Sequence, residues 1–249
     1  MLSHYDCIGL PADDEEALEA HMRRAADDAT AVVTDAGTYL HWTSDSGAEL
    51  WVQVDQADTV VGVHPHFAGK GALPVGVLAT VMHPEGSPLE GGYHCWANPS
   101  PDDLAGGDYP FVFDAPDFHT RAPGLVLPSR GTVQLAAFAE HLKTWASADA
   151  YAESGDDEPR LAVESFIPTG LFGDETEARV QGARALITGV VVESAWRVNP
   201  LSQACFVWAL VRTYGSTLDV VIDPRDAAEG IRPGMVLQGT FWLSGRLSL

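Results

Sequence analysis

ARALITGVVVE (183–193), ACFVWALVRT (204–213), TLDVVI (217–222) and MVLQGTFWL (235–243) are the stretches whose reading decides the fold. Each is short, rich in β-branched and aromatic residues, and bounded by turn formers, so each reads as a β-strand. Asn199-Pro200 turns the first into the second, and Tyr214-Gly215-Ser216 turns the second into the third. Asp223–Gly230 reads as one short helical turn, after which Pro233-Gly234 opens the last strand.

Three meandering strands, a helical connector and a final strand resemble an OB-like sheet. Working back toward the N-terminus, the pattern becomes mixed. YDCIGL (5–10) reads as a first strand, and the acidic segment after Pro11 as a helix capped by Asp13, with Leu18, Met22, Ala25 and Ala29 on one face. Glu19 and Arg23 stand at i,i+4 on that helix. TYLHWT (38–43) and ELWVQVD (49–55) form a hairpin around Ser44–Gly47. Val60–Val63, Val75–Val81, Tyr93–Ala97 and Phe111–Phe113 are further strands. Leu135, Phe138, Leu142 and Trp145 recur at helical spacing and predict a second helix over about 131–150. The chain is therefore expected to be α+β and strand-rich. It would comprise an acidic α+β region with two main helices (1–152), a linker with a connecting strand (153–177, opening on ESGDDEP) and a C-terminal antiparallel sheet (178–249).

The 249 residues carry a net charge of −21, and lysine is confined to Lys70 and Lys143. Residues 178–249 hold seven arginines and five acids, a net +2, so the first 177 residues carry −23. Such a field repels nucleic acid and anionic membrane and suits a basic protein partner or a divalent cation. Cys7, Cys95 and Cys205 form no CxxC pair, which argues against a disulfide framework or a structural zinc site. Cys7 and Cys205 sit in apolar runs and read as buried, inert thiols. MLSHYDCIGLPADDEE lacks the features of a signal peptide, and no run of about 18 apolar residues occurs, so a cytoplasmic protein is expected.

Chemistry-bearing residues are sparse. His64 and His66 flank Pro65 in VVGVHPHF, and i,i+2 side chains on a strand point to one side. With His83 and His94 they form the candidate metal set, with Glu85 as a carboxylate and a divalent metal as the ligand it would hold. The HxH resembles the start of the cupin metal motif, without the glutamate and glycines that follow there. The order strand, helix, strands also resembles one module of the vicinal oxygen chelate superfamily, which implies metal ligands near His4 and Glu49. Asp117 and His119 form a two-ligand fragment, and GKG (69–71) has the look of a phosphate loop without its spacing. No GxSxG, Walker A, GxGxxG or HExxH motif is present. Trp196, Trp242 and Arg246 are the candidate binding residues of the C-terminal sheet, with Trp242 expected to expose its ring.

The absence of catalytic motifs and the surplus of acid point to a non-catalytic binding or accessory protein that contacts a basic partner through its N-terminal region. The alternatives are a metal-dependent enzyme built on the histidines, and binding of nucleic acid or another anion by the C-terminal sheet.

Overall fold

Two sheets build the molecule. The computed structural model describes residues 4–83, 86–154, 161–169, 182–227 and 230–249. Sheet A is an antiparallel meander of β1 (Thr30–Thr34), β2 (Gly37–Thr43), β3 (Ala48–Val54) and β4 (Val60–Phe67), in that order. The expected hairpin is β2–β3, turned at Gly47, whose φ of +89° is the left-handed backbone that glycine adopts freely. Pro65 is tolerated within β4 because β4 is an edge strand and its neighbour is on one side only.

One face of sheet A is covered by α1 (Glu15–Asp27). The helix is capped by Asp14 rather than Asp13, with Asp14 Oδ1 accepting from Ala17 N at 2.8 Å. The strand expected at 5–10 is instead a 3-10 turn at Asp6–Ile8. Its end is set by Gly9 at φ +69°, which lets the Leu10 N–H return to the Tyr5 carbonyl.

Sheet B has nine strands: β5 (Leu73–Val81), β6 (Gly92–Ala97), β7 (Pro110–Asp114), β8 (Ser129–Trp145), β9 (Ser165–Pro168), β10 (Arg184–Val198), β11 (Cys205–Thr213), β12 (Ser216–Ile222) and β13 (Val236–Ser248). β8 replaces the helix predicted over 131–150; only a short helix, α3 (Ala148–Glu153), follows it, and α2 (Phe118–Arg121) is a single turn. The physical reason is burial on both faces: Leu135 through Ala139 are all buried, so apolar residues there do not alternate. A bulge follows. Thr240 and Phe241 on β13 face His141 and Ala139, leaving Glu140 as an extra residue. The bulge shifts the two-residue alternation by one step beyond it. Pairing with β5, β12 and β13 then overrides any local helix preference.

The four C-terminal strands lie where expected, but the OB-like sheet of 178–249 is not found. β12 and β13 do not pair with each other. β8 lies between them, parallel to β12 and antiparallel to β13. The pairings β8–β13, β13–β10, β10–β11, β11–β12 and β12–β8 close on themselves, with one parallel contact and four antiparallel. Sheet B is therefore mixed and draws strands from both sides of the predicted linker. Asp223–Ala227 forms hydrogen-bonded turns rather than a helix. Most of ESGDDEP, and Glu85, lie outside the described residues. Among the described residues, no helix is long and apolar enough to cross a membrane.

Candidate functional site at the junction of the sheets

The second face of sheet A meets one row of sheet B. Across β2, β3 and β4, register places His41, Trp51 and His64 side by side, with Glu49 and His66 in the next row on the same face. Across β12, β8, β13 and β7, register aligns Asp219, Ala136, Ser244 and Asp114. Trp242, Ser244 and Arg246 alternate along β13 and so present one face to sheet A. Two expected metal ligands and two expected binding residues therefore come together from opposite sheets, with Ser244, which sequence reasoning passed over, between them.

Ser244 is fully buried and bridges the two histidines. His64 Nε2 lies 2.9 Å and His66 Nδ1 2.8 Å from its Oγ. His66 Nε2 reaches Gln134 Oε1 at 2.9 Å, and Gln134 Nε2 donates to Asp219 Oδ2 at 3.2 Å. The far end fixes the direction of every proton. The Asp219 carboxylate accepts from Trp208 Nε1 (2.8 Å), Lys70 N (3.0 Å), Gly71 N (2.7 Å) and Gln134. Gln134 must turn its NH2 toward that acceptor, which leaves its carbonyl oxygen for His66. His66 then carries its proton on Nε2, its bare Nδ1 accepts from the Ser244 hydroxyl, and Ser244 accepts from His64 Nε2–H. His64 is left with an unprotonated Nδ1, which makes no hydrogen bond among the described residues. Burial lowers the His64 pKa to about 3, against the opposing pull of the Asp114 carboxylate, and keeps the ring neutral. Burial also lowers His66.

The GKG segment acquires a role here. Its backbone cradles an internal carboxylate, Asp219, in the manner of an anion nest. A Cβ at Gly69 would fall inside that carboxylate, so glycine is required by the close approach.

His64 forms part of the wall of a 360 Å³ cleft together with His4, His83, Glu90, Asp114 and Trp242. His4 stacks on the Trp242 indole at 4.4 Å between centroids, and His64 is tilted against the same ring at 5.0 Å. The bulged Glu140 is aimed at the rim. It lies 3.2 Å from His4 Nε2 and accepts from Arg184 Nε at 2.8 and 3.0 Å. Asp114 takes His83 Nε2 at 2.9 Å on one oxygen and the Trp242 indole N–H at 2.7 Å on the other. The hydrogen bond to Asp114 raises the His83 pKa, whereas burial lowers His4 and raises Glu90. Titrating groups in one cleft are thus pushed in opposite directions.

On the other side of Ser244, Arg246 lies over the Trp51 ring at 5.1 Å, and His41 stacks on that ring at 3.8 Å. Glu49 accepts from Trp51 Nε1 at 3.0 Å and sits 3.2 Å from His41 Nε2 and 3.5 Å from Arg246. Burial pushes the Glu49 carboxyl up, but His41, His66 and Arg246 together bring it down to about 2. Asp117 holds Arg246 Nε at 3.4 Å, while His119 turns away to the Pro88 carbonyl at 3.0 Å, so the Asp117–His119 pair does not converge.

The remaining predicted residues lie elsewhere. Trp242 is 9% exposed, not a solvent-facing ring, because Phe138, His4 and His64 pack around it. Trp196 is 56% exposed on β10 and far along the sheet from this row. His94 lies on β6, where burial lowers its pKa, and forms no part of the cleft wall. Cys205 is exposed at the start of β11, contrary to its reading as buried; Cys7 and Cys95 are buried. Glu49 is not in the cleft with His4. Among the described residues no three His, Cys, Asp or Glu side chains are grouped so as to hold one metal ion.

A second concavity lies on the opposite face of sheet A. Leu18 and Met22 of α1 and Leu40, Val52, Val60 and Val63 of the sheet line a 490 Å³ apolar groove, with Glu15, Glu19 and Arg23 at its rim. Asp13, Asp14, Glu15, Glu16 and Glu19 are all exposed around this end of the helix. No protein-family model matches this chain, and no curated protein and no solved structure is similar to it.

Proposed function

We propose that this chain is a non-catalytic binding protein that contacts a basic partner through its acidic N-terminal region, with the α1 groove receiving an amphipathic, cationic segment. The observation that carries this reading is an apolar groove bordered by exposed carboxylates in the part of the chain that holds the whole negative surplus. A four-stranded sheet is roughly 14 Å wide between its outer strands, and one helix of about 10 Å diameter does not cover it. The uncovered strip, with Val60 51% exposed, offers apolar area, and the rim offers charge of the opposite sign to lysine or arginine.

Fluorescence anisotropy with a labelled leucine–lysine peptide of helical periodicity tests this. A scrambled peptide of equal charge and a leucine–glutamate version are the controls. The amphipathic cation should bind, weaken with salt, and weaken further with Val60→Asn and with Glu19→Gln. Equal binding of the scrambled peptide, or indifference to Val60→Asn, would overturn the groove.

A further inference from the structure

We propose that the histidine-lined cleft is a second binding site, for a small organic molecule bearing a protonated amine held between His64 Nδ1 and the Glu90 carboxylate. The polar groups of the cleft can be paired off one by one. Arg184 is neutralised by Glu140, and His83 by Asp114, whose other oxygen takes the Trp242 N–H. What remains are acceptors. His64 is 6% exposed, is part of the cleft wall, and has a ring nitrogen with no partner among the described residues. The Glu90 carboxylate has the Ser87 backbone beside it, with His83 and Asp114 acting on it through charge, and among the described residues no side chain donates a hydrogen bond to it. A ligand that satisfies both must donate, and a donor facing a carboxylate is favoured when it is charged.

Trp242 and Tyr5 supply aromatic walls, which suit the carbon skeleton and the field of an ammonium. The acceptors are spread over a cleft of 360 Å³ and are not gathered around one point, so a molecule fits the arrangement better than a bare ion. The direction of the buried chain matters here. Were His64 protonated on Nδ1, the cleft would offer a donor at that place and repel an ammonium. The Asp219 carboxylate, through Gln134, His66 and Ser244, prevents that tautomer.

Calorimetry on the full chain with butylammonium chloride tests this, with butyrate, 1-butanol and zinc chloride as separate arms. Butylammonium should bind at one site and shift the His64 ring ¹⁵N resonance. Glu90→Gln, at a half-buried position that leaves the fold intact, should weaken it about ten- to a hundred-fold. Glu15→Gln and Glu19→Gln should leave it unchanged, which separates this site from the α1 groove. Butyrate or 1-butanol binding as tightly, stoichiometric zinc in place of the amine, or amine binding unaltered by Glu90→Gln would each overturn the proposal.

Discussion

Replacing Ser244 by alanine should be among the most damaging single-atom deletions available in this protein. The hydroxyl is fully buried and serves two partners, His64 at 2.9 Å and His66 at 2.8 Å, themselves 6% and 0% exposed. Ser244→Ala leaves an imidazole N–H and an imidazole lone pair with nothing opposite them. Each stranded buried group costs about 1–3 kcal/mol, so the variant should lose about 2–6 kcal/mol. Against a total stability of about 5–15 kcal/mol, that is a large fraction. Urea unfolding followed by tryptophan fluorescence measures it as a lower midpoint at unchanged slope. Ser248→Ala, at an exposed position four residues along the same strand, is the control and should stay within about 0.5 kcal/mol of the parent. Because His66 is shared, His66→Phe and Ser244→Ala should be less than additive. A loss under about 1 kcal/mol for Ser244→Ala would refute the bridging role.

Two further perturbations probe the same junction. Gly69→Ala drives a methyl into the Asp219 carboxylate and should destabilise the fold by about 3 kcal/mol or more, read by thermal unfolding. The Glu49 carboxyl titrates lower in the folded chain than in the unfolded one. Its contribution is therefore complete above pH 4.5 and is lost as pH falls toward 2, amounting to about 3 kcal/mol. Stability measured across that window should fall less steeply in Glu49→Gln.

Much of the strand pattern was legible because turn formers punctuate it: β2, β3, β6, β7 and the four C-terminal strands stand within a few residues of their predicted bounds. β8 was not legible. Its apolar residues cover both faces from Leu135 to Ala139 and so lose the strand alternation, and its pairing partners lie far along the chain, where local pattern reasoning has no reach. That error also hid the sheet's topology, since β8 is the strand that separates β12 from β13. In the site, His64, His66, His83, Trp242 and Arg246 were visible as residue types. Their roles were not, because roles depend on which row faces which. Two signals were present all the same. The alternation Trp242-x-Ser244-x-Arg246 places Ser244 on the binding face, and Asp219 inside TLDVVI is a charge in an otherwise apolar strand, which demands a buried partner. GKG, which lacks the spacing of a phosphate loop, cradles an internal carboxylate, Asp219.

The claim on which the cleft rests is the direction of the chain from Asp219 to His64, and ¹⁵N spectroscopy of the histidine rings at neutral pH measures it directly. His64 and His66 should both be neutral and both protonated on Nε2. Asp219→Asn, which lets Gln134 turn over, should move the His66 proton to Nδ1. A His64 protonated on Nδ1 in the parent protein, or carrying both protons, would contradict it.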